Sequence, residues 1–335
     1  MFKKFYDKLV DFIKDEYKYI LFLFAFYIFL SFPVNYYIVT GGGISDVGSR
    51  IKLSSSYKSK GSFNISYVTE LKGTIAAYLV SYIIPDWERT NMDDYKYDKA
   101  EDYEDLAFRS DIDLKSANDN AIKLAYTLAN KEYKITSTKV YVTGTFDKPK
   151  TNLKIRDEIL SINDKTYNTL EGYKDYLQSI KNEYVTVRVI RDKKEKNIKC
   201  KLHEIEGSKV LGVTLGVINS YKTDPKIEIK FKDSESGSSG GLITTLDIYN
   251  KLTKNDLTKS RKIAGTGTVD SNGNVGEIGG VKYKLLGAVK KKADIFLVPN
   301  GSNYKECIKL KKKRNLKIKI IGVNTVEEAI NKLNK

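Results

Sequence analysis

The sequence is nearly without histidine. Its 335 residues hold one, His203. A histidine-built metal centre is therefore excluded, and a Ser-His-Asp triad depends on that single ring. His203 sits among charged residues at the end of a strand-like run. There are two cysteines, Cys200 and Cys307. They fit no metal-ligand spacing and no disulfide framework, and read as packed or free thiols in different domains. No Gly-x-x-x-x-Gly-Lys-Ser/Thr loop occurs, so no nucleotide-driven step is expected and no cofactor is implied. Arginine is scarce beside lysine. The net charge of +16 therefore comes without an aromatic-basic RNA motif or a basic recognition helix, and nucleic acid is not an expected partner. Runs such as Lys290-Lys-Lys292 and Lys311-Lys-Lys-Arg314 read as solvated helix faces. An anionic envelope polymer or lipid is the more plausible neighbour of the basic excess.

What is present begins with one charge-free run. Tyr19 to Val39 spans 21 residues without a charged side chain, long enough to cross a bilayer, with tyrosines at both ends. Lysines 3, 4, 8, 14 and 18 precede it. Arg50, Lys52 and Lys58 follow. That bias predicts a single-pass signal anchor in the cytoplasmic membrane, with a cytoplasmic tail at 1–18, a transmembrane helix at 19–39 and the rest outside. A cleaved signal peptide is the rival, with Val39-Thr-Gly-Gly-Gly43 as its only weak cleavage candidate. Residues 40–132 read as a glycine- and serine-rich linker, a strand over 61–70, a packing helix over 74–84 and charged helices over 92–132.

Residues 133–206 alternate as a small β-rich module. Strands are expected at 139–143, 156–164, 185–190 and 197–202, with an amphipathic helix at 170–180. The order resembles a PDZ domain of the bacterial protease type, which implies capture of an extended peptide by strand addition. The family's Gly-Asp before the central strand is here Arg156-Asp157. A spacer role is the alternative reading of the module.

The stretch around which the chemistry gathers is Gly237-Ser238-Ser239-Gly240-Gly241. It follows the alternating run Lys226–Phe231 and opens the helical stretch 242–252. A serine at a helix start is surrounded by unpaired N–H donors at the positive helix end, which suits an oxyanion. A flexible polar linker is the other reading of that stretch. A serine nucleophile needs a base. A lysine serves when burial leaves it neutral, and Lys284 heads an apolar helix with Leu285, Leu286 and Ala288.

These residues resemble the catalytic domain of Lon proteases. Gly237–Gly241 looks like its Gly-Pro-Ser-Ala-Gly motif, with Ser238 in place of proline and Gly240 in place of alanine. Ala264-Gly265-Thr266-Gly267-Thr268-Val269 looks like its Thr-Gly strand. Gly273–Lys284 looks like its Gly-x-Val-x-x-Ile-Gly-Gly-x-x-x-Lys signature, and Ala293–Asn300 like the strand that follows. The resemblance implies Ser239 as nucleophile, Lys284 as general base and Thr266 beside the dyad. Lys282 is the near alternative base. The backbone of Gly237, Ser238 and Ser239 is the expected oxyanion cradle. With anchor and PDZ-like module, the chain resembles the PDZ-containing Lon-like proteases of Gram-positive bacteria.

The expected fold class is α+β, mixed α/β, with the Lon-type proteolytic domain at 207–335. Its strands are expected near 210–219, 226–232, 262–275, 295–299 and 317–321. Its helices are expected near 240–253, 280–292, 302–314 and 325–334. The expected activity is that of a membrane-anchored, ATP-independent serine endopeptidase acting on unfolded or loosely held proteins and peptides. The alternatives are an inactive tethered scaffold for peptides or proteins, and an envelope protein that binds anionic polymer.

Overall fold

The computed structural model describes residues 2–335 apart from residues 168 and 233. The chain forms two compact units, one built from the residues up to 41 with 69–94, the other from 42–68 with 95–335. In chain order the first elements are α1 (Phe2–Ser31), β1 (Pro33–Asp46), β2 (Ile51–Leu53), β3 (Ser62–Thr74), α2 (Ile75–Val80) and β4 (Glu88–Asn91). Strands β1 and β3 pass from one unit into the other.

In the first unit, helix α1 stops at Ser31. Proline at 33 lacks a backbone N–H and disfavours helix at the residue before it. The chain then turns extended, and β1 pairs antiparallel with β4, Tyr36 opposite Asn91 and Val39 opposite Glu88. Ile38 and Val39 are buried there. The charge-free run is thus part helix and part strand, and the expected transmembrane helix over 19–39 is not formed. Its helical portion, Tyr19–Ser31, reaches about 20 Å at 1.5 Å per residue, against about 30 Å of hydrocarbon. Among the described residues no helix is long and apolar enough to cross a membrane. Helix α2, capped by the Thr74 hydroxyl, buries none of its residues. The expected packing helix over 74–84 is therefore six residues long and surface-lying, with Leu79, Tyr82 and Ile83 exposed.

After β2 and the inner parts of β1 and β3, the second unit continues with α3 (Tyr103–Leu128). A capping box starts it: Asp102 accepts from the Asp105 N–H while Asp105 accepts from the Asp102 N–H. Next come β5 (Glu132–Thr145), β6 (Glu158–Ile162), α4 (Leu170–Ser179), β7 (Tyr184–Arg191), β8 (Lys194–Lys201), β9 (His203–Ile205), β10 (Ser208–Val210) and β11 (Val213–Asp224). Five of these strands make one antiparallel sheet in the order β11-β5-β6-β7-β8. Its inner residues, Val140, Val142, Ile159, Val185, Val187 and Val189, pack with Tyr173 and Leu177 of α4. Alternate burial along β7 is the signature of a sheet with one wet face.

The module runs past its expected end at 206. Strand β11 pairs with β5 over its whole length, from Val213 opposite Thr145 to Asp224 opposite Glu132. Without it a fourteen-residue edge of unpaired donors and acceptors would remain. The first strand expected for the catalytic domain thus belongs to this sheet. Helix α3 lies along the outer edge of β11. Ser116 Oγ donates to the Val217 carbonyl at 2.6 Å, and the Asn219 N–H donates to the Asp119 carboxylate.

The remaining elements are β12 (Ile227–Ile229), α5 (Gly241–Leu252), β13 (Lys262–Gly265), β14 (Thr268–Val269), β15 (Val275–Gly276), α6 (Val281–Lys290), β16 (Ile295–Pro299), α7 (Ser302–Arg314), β17 (Lys319–Val323) and α8 (Val326–Asn334). Strand β13 pairs in parallel with β3 on one side and β16 on the other, and β16 pairs in parallel with β17. Every residue of β16 is buried, as a parallel strand covered on both faces requires. On one face Phe63, Ile263, Ile295 and Leu297 pack with Leu242, Ile243 and Leu246 of α5. On the other, Ala264, Phe296 and Val298 pack with Val281, Leu285 and Ala288 of α6. Residues 62–65, within the strand expected over 61–70, thus form part of the catalytic sheet. The single strand expected over 262–275 breaks at Thr266-Gly267, the break that opens the site. Cys200 and Cys307 are unbridged and buried, and burial pushes their thiols up to about 11 and about 12.

Candidate active site

Strand β13 ends under the first turn of α5, and the two are stitched together. The Gly267 N–H donates to the Ser239 carbonyl at 2.8 Å, and Thr266 Oγ1 donates to the same carbonyl at 3.1 Å. In return the Leu242 N–H donates to the Gly267 carbonyl at 3.1 Å. The backbone of Ser239 is held from two sides before its hydroxyl is considered. Glycine at 240 suits this seam, because a Cβ there would lie 2.8 Å from Ile65 Cδ1.

Helix α6 brings the base. It starts at Gly280, whose φ of 67° is left-handed and favours glycine. Asn303 fixes the approach to it, accepting from the Ile278 N–H at 2.9 Å and donating to the Ile278 carbonyl at 3.0 Å. One turn on, Lys284 faces inward with Val281, Leu285 and Ala288, and only 4% of it is exposed. Its Nζ donates to Ser239 Oγ at 2.9 Å and to Thr266 Oγ1 at 3.3 Å. The structure thus brings together Ser239, Lys284 and Thr266, three residues singled out from sequence. Two glycines allow the helix to sit this low. A Cβ on Gly287 would lie 2.7 Å from the Gly43 nitrogen, and one on Gly42 would lie 2.9 Å from the Tyr283 carbonyl oxygen. The glycine run at 41–43, expected as linker, forms part of β1 and seats α6.

The other candidate bases go elsewhere. Lys282 Nζ lies 4.9 Å above the Tyr283 ring. His203 Nε2 is 3.1 Å from the Lys150 carbonyl, in the PDZ-like module. The oxyanion cradle is narrower than expected. The Gly237 N–H, with its residue at φ 83°, donates to the Ser110 carbonyl of α3 at 2.8 Å and is committed there. The N–H groups of Ser238 and Ser239 meet no acceptor among the described residues. Ser110 escapes sequence reasoning because its contribution is a carbonyl, which any residue carries. Asn120 is a second such helper. Its Nδ2 donates to the Val269 carbonyl at 3.0 Å and ties α3 to the strand after the break.

Residues 230–334 match the Lon protease (S16) C-terminal proteolytic domain, and residues 116–202 match the PDZ domain. A Lon protease of Neorickettsia sennetsu is 37% identical over 97 residues, which are 29% of this chain and 11% of that protein. The match thus spans about a tenth of the length of that relative. Among solved structures, the PDZ domain of an SdrC-like protein from Listeria monocytogenes is 26% identical, covering 24% of this chain and 92% of that one at a TM-score of 0.22. Residues 116–202 are thus similar to a PDZ domain, and residues 230–334 to the proteolytic domain of Lon (S16) peptidases.

Proposed function

We propose that the chain is a serine endopeptidase that works without ATP on unfolded or loosely held polypeptides, with Ser239 as nucleophile and Lys284 as general base. The observation that carries this reading is the 2.9 Å approach of a buried lysine nitrogen to a serine hydroxyl at a helix start. Neutral Lys284 takes the proton from Ser239 Oγ, and the oxygen attacks a peptide carbonyl. The N–H groups of Ser238 and Ser239 hold the oxyanion. Lys284, now an ammonium, gives its proton to the departing amine, and water resolves the acyl-enzyme. Thr266 orients the lysine nitrogen.

The test is cleavage of casein by the full chain, wild type against Ser239→Ala and Lys284→Ala. Loss in both folded variants supports the dyad. An inert wild type that also resists a serine-reactive probe favours the second reading, an inactive scaffold. The cover of α3 over β11 occupies one edge of the PDZ sheet and so weighs against strand addition of a peptide at that edge.

We also propose that the enzyme works at a membrane, on the outer face. Residues 19–31 carry no charge, and their large apolar side chains are mostly exposed; Leu79, Val80, Tyr82, Ile83 and Ile84 add to that surface. A helix apolar on all sides and uncovered by protein is suited to lipid. The lysine excess before residue 19 suits an anionic lipid surface. Flotation with anionic vesicles tests the attachment. Recovery of the wild type in the lipid-free fraction refutes it.

A further inference from the structure

Strand β3 holds a hydroxyl that no hydrogen bond explains. Ser66 is 1% exposed, and among the described residues its Oγ meets no hydrogen-bond partner. Such groups are rare in folded proteins and call for a reason.

Register and face place Ser66 beside the catalytic lysine. Ile65 pairs with Gly265 in the parallel ladder, so Ser66 and Thr266 stand next to each other one step on. Ile65 points at the start of α5, as its contact with Gly240 shows. Alternation along the strand turns Ser66 to the other face. That face belongs to α6, for Ala264 packs there with Val281, Leu285 and Ala288. Val68, on the same face of β3, lies with its Cγ1 3.0 Å from where a Cβ on Gly280 would be. Gly280 is the residue before the helix. Two residues back along β3 is a step of about 7 Å, and four residues on along α6 is about 6 Å. Helix and strand run in opposite senses, from Gly280 over Val68 to Ala288 by Ala264. Both steps therefore lead the same way, and Ser66 lies beneath the turn that carries Lys284.

We propose that Ser66 is a positioning residue for Lys284, accepting an N–H from its ammonium between attack and departure of the leaving amine. The proposal rests on the Ser239–Lys284 reading. An ammonium has three donors. Once Ser239 Oγ has attacked, it is bonded to the tetrahedral carbon and is a poorer acceptor than the hydroxyl it replaces. Ser66, in the same buried layer as Thr266, supplies a neutral acceptor without adding charge. Helix α6 brings Lys284 and Tyr283 to this layer, while residues 41–43 of β1, and residues 264–265 of β13 with Thr266 after it, bring no titratable group.

The test is the inactivation rate of the full chain by a fluorophosphonate between about pH 6 and 10, for wild type, Ser66→Ala and Ser66→Thr. In Ser66→Ala the ammonium loses an acceptor. The acid limb of the profile moves to lower pH and casein turnover falls about three- to tenfold, while Tm does not drop, because the deleted hydroxyl has no partner. Ser66→Thr keeps the hydroxyl and restores the wild-type limb. Superimposable profiles for Ser66→Ala and wild type overturn the role, as does a lower Tm with uniform loss at every pH. A wild type that never labels at Ser239 overturns the dyad itself and the proposal with it.

Discussion

Helix α3 presses one carboxylate against the edge of the PDZ sheet, and its titration gives a stability test. Asp119 is 8% exposed and accepts the Asn219 N–H. Burial pushes its pKa from 3.8 up to about 7, against the opposing pull of the Asn219 hydrogen bonds. The folded-state value lies above the unfolded one, so the fold prefers the protonated acid. The stability tied to this group is whole below about pH 4 and is lost as pH rises through 7. Three pKa units correspond to about 4 kcal/mol, and partial contact with solvent reduces this to about 2–4 kcal/mol. Asp119→Asn keeps an oxygen to accept the Asn219 N–H and removes the titration. The two proteins should therefore be nearly equal near pH 4, with the variant more stable by about 2–4 kcal/mol at pH 8. Hydrogen exchange of residues 213–224 under increasing urea isolates this seam, since one global unfolding free energy is ill-defined for a chain of more than one unit. Protection that changes in parallel for both proteins from pH 4 to 8 would refute the reasoning.

Three further outcomes are expected. Arg191 holds Asp157 through two hydrogen bonds, at 2.7 and 2.6 Å, and Asp157 is 1% exposed; Arg191→Ala should cost the PDZ sheet about 3 kcal/mol, read by urea unfolding, and Arg191→Ala/Asp157→Asn should recover part of it. Gly287→Ala would drive a methyl to 2.7 Å from the Gly43 nitrogen; backbone cannot yield cheaply, so a loss of about 1–3 kcal/mol and weaker casein cleavage should appear together, by scanning calorimetry and by gel. Lys284→Met removes a buried amine from an apolar setting; activity should vanish while Tm stays level or rises, and a fall of several degrees would mean the lysine is structural.

The chemical site was legible because its residues come in fixed spacings within one hundred positions. Ser239 precedes α5, Thr266 follows the end of β13 and Lys284 lies in the first turn of α6, with glycines near each. The PDZ strands were legible from alternation, as in Tyr184–Arg191. What failed to show were partnerships at long range. Nothing in Ser62–Ile65 announces that its neighbour is Lys262–Gly265, and nothing in Val213–Asp224 says that it closes the PDZ sheet. The charge-free run at 19–39 carried its own correction, Pro33, which composition alone outweighed. The Gly237 N–H was misjudged because its acceptor is a main-chain carbonyl.

The pairing of Phe63 with Ile263 bears on how the protein is made. The PDZ sheet lies between these strands in the chain, so it is an insert within the catalytic sheet. A ribosome adding about 5–20 residues per second needs about 10–40 s to travel from one partner to the other. For that interval β3 has β1 on one side, but its other edge, at Phe63 and Ile65, stands unfilled and open to wrong pairing. The inserted sheet, whose strands are mostly close in sequence, is complete earlier and brings the two halves of the catalytic sheet within reach. Synthesis that outruns or stalls at this insert should change the yield of active enzyme while leaving the finished fold the same.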